Sequence, residues 1–348
     1  MINALADLLG PLWGPFRLLS SAFILAAFGA LFAALTTLFL LPRMFKYLPT
    51  DRGRAHAVDA AASVGKPIAA GIILISIIFV GVYLFVPFDF RVHAIMPLVL
   101  GASALGYIDD KTGGLSELTL GVVDFLLAVC AAIILFGFEP SRIWVPFTAD
   151  IITLPFWVHL PVAIVVIWFS INALNCSDGV DGLSGTLALI SYAVLGLLFY
   201  IAIGHIGMSR YLLLPFDADG YKWAIVCSVA CGVLGGYLWY NVPPSSVLMG
   251  DAGSRPLGLL LGILIMVSGN PFLIIVCAGT ILANGATGLF KVAMLRFFKL
   301  RLFSSIRFPL HDHVRKNWNW SNTQVLARFA MVHLAVTLGL VSILLKVR

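Results

Sequence analysis

Long apolar runs, each broken by a short polar stretch, repeat along the chain from Arg17 onwards. A helix that crosses a bilayer needs about 20 largely apolar residues. The pattern predicts about ten, over residues 17–41, 68–88, 93–108, 119–137, 156–173, 183–203, 222–240, 255–268, 271–289 and 325–346. The runs are continuous, without the alternation of lipid-facing and lumen-facing positions that a membrane β-barrel requires. The expected fold class is an all-α integral membrane protein, with one domain spanning 1–348 and neither internal repeats nor low-complexity linkers. No basic residue precedes Arg17 and the first run is too long for a signal-peptide core, so it reads as a retained helix.

Composition agrees: 61% of the 348 residues are hydrophobic and 11% charged, with a mean hydropathy of +1.02. The partner this implies is the lipid bilayer. The net charge of +6 is no nucleic-acid footprint, because basic residues of membrane proteins collect on cytoplasmic loops. With ten spans, fourteen basic residues, Arg54 among them, fall on the odd-numbered connections, and seven, including Arg348, fall on the other side. The odd connections are therefore expected in the cytoplasm and both termini outside. The five cysteines sit mostly inside apolar segments and form no CxxC pair. They read as small hydrophobes rather than a disulfide framework.

Every polar cluster with chemical potential falls on an odd connection. "GYIDDKTGG" (Gly106 to Gly114) is on the third, "NALNCSDGVDGLSG" (Asn172 to Gly185) on the fifth, "YNVPPSSVLMGDAGSRPLG" (Tyr240 to Gly258) on the seventh and "RFPLHDHVRKNWNW" (Arg307 to Trp320) on the ninth. Five of the sixteen acidic residues, Asp109, Asp110, Asp178, Asp181 and Asp251, lie in three of these motifs. Each has an ordinary structural reading. The Asp pair could be a solvated turn, Asp178, Asp181 and Asp251 could cap the helices that follow them, and His311 and His313 could be plain loop histidines. Independent caps, however, have no reason to crowd onto one face.

Carboxylates and glycines at a membrane surface suit phosphate chemistry. Mg²⁺ takes oxygen ligands from one or two carboxylates plus substrate phosphates and water. Glycines let backbone approach a phosphate, and helix N-termini favour anions. No GxxxxGK[ST] loop is present, which argues against a P-loop hydrolase. Asp124, a lone acid near the start of the fourth run, is a further candidate because charge inside a bilayer is costly.

The motifs "DD", "NxxNxxDGxDGL" and "GDxGS", in this order, resemble the polyprenyl-phosphate N-acetylhexosamine-1-phosphate transferases. "PLHDHVRKNWNWSNTQVLARF" (Pro309 to Phe329) is similar to the muramoyl-pentapeptide branch of that family. The resemblance runs from "GKP" at Gly65 to "ARF" at Phe329. It implies transfer of phospho-MurNAc-pentapeptide from UDP-MurNAc-pentapeptide to undecaprenyl phosphate, with Mg²⁺, in the bacterial cytoplasmic membrane, by a homodimer. Asp251 is then the metal ligand, and Asp109 and Asp110 deprotonate or position the lipid phosphate. Asn172, Asn175, Asp178 and Asp181, with Asn241 beside them, build the nucleotide pocket. His311 and His313 act on phosphates or sugar, oriented by Asp312. A two-step route with Asp110 as nucleophile stays open beside direct attack by the lipid phosphate.

The chain departs from the family in three places. Lys111 follows the Asp pair directly. "GKPIAAG" (Gly65 to Gly71) stands where the family has "GTPTMGG", shifting Lys66, and Leu248 occupies a position where many members carry a uracil-stacking Phe. The segment Val276 to Leu295, with Gly279, Asn284, Gly285 and Gly288, allows either close helix packing or, by the resemblance, a bend that opens a lipid groove. Two rival readings are GlcNAc-1-phosphate transfer to the same lipid and, from another class, a secondary transporter, whose site would lie at the midplane of related repeats.

Overall fold

A computed structural model describes residues 2–53, 63–146, 148, 150–301 and 303–346. Arg54 and Arg348, counted above for the charge bias, lie outside the described residues. The chain is helical almost throughout. Its helices are α1 (Ile2–Leu9), α2 (Ala22–Met44), α3 (Gly71–Phe85), α4 (Phe90–Thr112) and α5 (Glu117–Phe136). After a hairpin of β1 (Ser141–Trp144) and β2 (Ile151–Leu154) come α6 (Phe156–Cys176), α7 (Leu183–Leu197), α8 (Ile206–Tyr211) and α9 (Gly220–Asn241). The remainder is α10 (Asp251–Val267), α11 (Leu273–Cys277), α12 (Gly279–Ile281), α13 (Thr287–Phe298), α14 (Leu310–Trp318) and α15 (Asn322–Lys346).

Among the described residues seven helices are long and apolar enough to cross a membrane: α2, α4, α5, α6, α7 with its π-helical extension to Ile203, α9 and α15. The protein is thus an all-α integral membrane protein. Three predicted spans take other forms. The 68–88 run becomes the 15-residue α3. The 255–268 run becomes α10, in which every residue from Asp251 to Met266 is buried. Packed chiefly against α4 and α6, α10 has protein rather than lipid around it and has no need of full bilayer length.

The 271–289 run is divided into α11, α12 and a π-helical turn at Leu282–Ala286. It bends by 46° between Gly279–Ala286 and Phe290–Phe298. The segment is bent and also closely packed, since a Cβ on Gly285 would lie 2.3 Å from the Ala173 carbonyl oxygen of α6. Outside the expected spans lie the short helices α1, α8 and α14 and the hairpin, which pairs Ser141 with Leu154 through Trp144 with Ile151. The hairpin closes the far end of α10. There the main-chain N–H of Trp144 donates to Gly269 (3.1 Å) and its indole Nε1 to the Ser268 carbonyl (3.0 Å), satisfying carbonyls that a helix end leaves unpaired.

The opposite end of α10 meets the C-terminal ends of α4 and α6. Ser103 of α4 donates to the Ala252 carbonyl (2.6 Å), and a Cβ on Gly106 would sit 2.4 Å from the Asp251 carbonyl carbon. Only glycine permits that approach, so the motif "GYIDD" brings its acids directly over the first turn of α10.

Candidate active site

Helix α4 ends where Gly113 takes a left-handed φ of +90°. The chain folds back on its last turn, and Asp109 Oδ1 accepts the main-chain N–H of Leu115 at 2.5 Å. Asp110, one residue on, points elsewhere. Its two carboxylate oxygens accept the main-chain N–H groups of Asp251 and Ala252, each at 3.1 Å. Asp110 is therefore the N-terminal cap of α10, supplied by another helix, because the local cap residue Gly250 has no side chain to offer.

Asp251 follows in the first turn and is 4% exposed. One oxygen from each of Asp109, Asp110 and Asp251 falls within 4.8 Å of the others. Two ligands trans across a Mg²⁺ ion stand about 4.2 Å apart. The separation is close to that value and the all-oxygen donor set suits a divalent cation, while the helix N-terminus beside it favours an anion such as phosphate. The cluster as a whole is one that could hold a metal ion.

One turn further along α10, Arg255 is 9% exposed. Its Nε donates to Asp251 Oδ2 (2.8 Å) and its Nη1 to Asp124 Oδ2 (2.5 Å) on α5. Asn175 completes this arrangement: its amide oxygen accepts from Arg255 Nη2 (2.8 Å) and its nitrogen donates to Ser254 Oγ (3.2 Å). Arg255 was read from sequence only as one more loop cation. The signal that could have found it is its spacing of four from Asp251, which on a helix places both side chains on one face.

The loop between α6 and α7 is held from several directions. Asp178 Oδ1 accepts from Ser184 Oγ (2.5 Å). Asp181 Oδ2 accepts the Ser245 N–H (3.2 Å) and lies 3.6 Å from Lys66 Nζ, which itself donates to Ser245 Oγ (2.9 Å). Asn241 is a buried crosslink: Oδ1 takes the Gly182 N–H (2.8 Å) and Nδ2 donates to the Val247 carbonyl (2.7 Å). Leu248 pairs its main chain with that of Pro67 (2.8 Å) and Ala70 (3.1 Å), so "GKPIAAG" and "VLMGD" lie side by side. Asn172 sits a turn before Asn175 and donates to its own helix, at the Trp168 carbonyl (2.9 Å).

The ninth connection reaches this assembly through one histidine. His311 is 2% exposed, and its Nε2 lies so near Gly179 that a Cβ there would approach to 2.4 Å. Asn284 Oδ1, in the π-helical turn, accepts both the His311 main-chain N–H (2.9 Å) and Nδ1–H (3.1 Å). Burial pushes the imidazole down to about 3, with the Arg315 guanidinium adding to the shift. The ring is therefore neutral at physiological pH, and its 3.8 Å approach to Asp312 is not an ion pair there. Asp312 instead faces Arg315 (3.5 Å) and Arg307 (3.9 Å). His313 turns away: its Nδ1 accepts the Arg307 N–H (3.2 Å) and its ring meets Trp318 edge-on at 6.0 Å.

All four polar connections thus converge. The third meets the seventh through Asp110, the fifth meets the seventh through Asn175 and Asn241, and the ninth meets the fifth at His311 and Gly179. A family model, glycosyl transferase family 4, matches residues 92–269, which contain the Asp pair, the α6–α7 loop and α10. A phospho-N-acetylmuramoyl-pentapeptide-transferase of Treponema pallidum (strain Nichols) is 45% identical over 97% of this chain and 94% of its own length. One from Campylobacter jejuni (strain RM1221) is 28% identical over 92% and 95%, and one from Neisseria gonorrhoeae (strain NCCP11945) 27% identical over 93% and 91%. Similarity of this extent, running through the assembled acids and not around them, places the chain in the phospho-N-acetylmuramoyl-pentapeptide-transferase family of phosphosugar transferases.

Proposed function

We propose that the protein transfers phospho-MurNAc-pentapeptide from UDP-MurNAc-pentapeptide to undecaprenyl phosphate on the cytoplasmic face of a bacterial membrane, forming lipid I and UMP for peptidoglycan synthesis. The observation that carries this reading is the convergence of Asp109, Asp110 and Asp251 at the N-terminus of α10. The reaction joins an oxygen of the lipid phosphate to the phosphorus attached to the sugar and breaks that phosphorus's bond to the UMP oxygen.

Such a displacement depends on alignment and charge neutralisation. Asp251, with Asp109 and Asp110 beside it, would hold Mg²⁺, which supplies charge neutralisation at the donor pyrophosphate. Asp110 has both oxygens on α10 amides, which favours an organising role over a nucleophilic one and hence direct attack by the lipid phosphate. Asp109 positions the acceptor. Asn175, Asp178 and Asp181 shape the donor side with Lys66 near the phosphates, and Asn172, Asn241 and Leu248 support that wall. His311, neutral and with Nδ1–H committed to Asn284, presents Nε2 as a hydrogen-bond acceptor, while Asp312 and His313 brace the loop that delivers it.

The test is UMP release by purified protein in detergent with Mg²⁺ and undecaprenyl phosphate, offered UDP-MurNAc-pentapeptide or UDP-N-acetylglucosamine. Turnover of the first alone is expected. Turnover of only the second, or silence from folded protein, overturns the proposal.

A further inference from the structure

Arg255 and Asp124 form a buried ion pair in the wall of the acidic cluster. Arg255 is 9% exposed and Asp124 2%. The guanidinium is spoken for on three sides, by Asp124 of α5 at Nη1, Asp251 of α10 at Nε and Asn175 of α6 at Nη2. A buried pair of this kind is not needed for stability, since well-packed apolar residues of similar volume usually serve as well or better. Its worth lies in where it sits.

Three carboxylates whose oxygens approach within 4.8 Å repel one another and turn apart unless something fixes them. We propose that Arg255, anchored by Asp124, is a positioning residue that holds Asp251 in the orientation a divalent cation requires. The inference rests on the transferase reading above. Arg255 grips one oxygen of Asp251, and its planar fork fixes the angle of that grip because the neighbouring nitrogen is tied to a different helix. Asp124 has a second effect. Alone, the guanidinium would cancel one of the three negative charges that attract the cation; paired with Asp124 it is neutral, so Asp251 is oriented at no cost in field.

Two variants separate the effects. The double variant D124L/R255M removes the pair without changing net charge, so any loss of cation affinity reports orientation alone. D124N keeps shape and hydrogen bonding but leaves the guanidinium uncompensated. The readout is binding of Mn²⁺ alone to purified protein, without substrates, followed by electron paramagnetic resonance, with melting temperature as the control for folding.

Removing groups that orient metal ligands typically weakens metal affinity about 10- to 100-fold, and that loss is expected in the folded double variant. D124N is expected to weaken Mn²⁺ binding in the same direction, and it decides the matter if the double variant does not fold. Wild-type Mn²⁺ affinity in either folded variant overturns the inference. No Mn²⁺ binding by the wild type, in contrast, overturns the metal assignment of Asp251 itself.

Discussion

Asn284 holds His311 twice through a single oxygen, accepting its main-chain N–H at 2.9 Å and its ring Nδ1–H at 3.1 Å. The amide comes from a π-helical turn inside an otherwise apolar segment. It therefore sets the tautomer of a histidine 27 residues away, leaving Nε2 as the acceptor.

The depressed pKa of His311 has a sign that can be checked. In the unfolded chain the imidazole takes a proton near pH 6.5, whereas in the folded chain it does so only near 3. Between those values the unfolded state binds the extra proton, so stability falls as pH falls, by up to about 1.4 kcal/mol per unit. Melting temperatures in detergent should drop more steeply between about pH 6.5 and pH 5 in wild type than in H311N. Equal slopes would show that the imidazole is not held neutral.

Asp110 works at two levels. D110N retains one acceptor for the α10 amides and is expected to fold, with a stability loss of about 1 kcal/mol, typical of a weakened cap. Its UMP release should fall about a hundredfold or more, because the cluster loses one of the three negative charges that would hold the cation at the reacting phosphates. A D110N protein with wild-type turnover would remove Asp110 from the site.

Gly250 has φ +67° and ψ −173°, a region open essentially to glycine. A Cβ there would also lie 2.2 Å from Asp110 Oδ2. G250A should therefore cost about 1–3 kcal/mol from strain and uncouple α4 from α10. The expected outcome is loss of turnover together with a lower melting temperature.

Lys66 is expected to behave oppositely. It is 25% exposed in its side chain and pairs with Asp181 at 3.6 Å, a geometry that contributes little to folding. K66M should melt like wild type yet raise KM for the UDP-sugar by roughly tenfold, the loss of one charge-assisted hydrogen bond. An unchanged KM would mean that Lys66 serves only Asp181 and Ser245.

How far the fold could be read from sequence depended on length and apolarity. Seven predicted spans are full-length helices because bilayer thickness and backbone satisfaction leave no other form. Residues 271–289 were read as one span because hydropathy cannot distinguish a continuous helix from one broken at Ala278 and widened at Asn284. The hairpin at 141–154 lay in a connection whose strands are only four residues each, too short for a periodic signal.

The acids of the site were conspicuous because acids are scarce in this chain. Their partners were not. Arg255 resembled a loop cation, Asn284 a stray amide in a greasy segment, and Ser184 a turn residue, since side-chain direction across helices is a property of packing and not of spacing. The two histidines of "HDH" looked equivalent, and only the burial of His311 against Gly179 separates it from His313.

The complete enclosure of α10 has one more effect. With every residue from Asp251 to Met266 buried, no acyl chain reaches the helix that carries Asp251. Lipids of unusual length press instead on outer helices such as α2, α5 and α15, which adapt by tilting at a small cost per ångström. Asp251 therefore sits on an innermost helix, and a change in bilayer thickness reaches it only through neighbours such as α5, whose Asp124 holds Arg255.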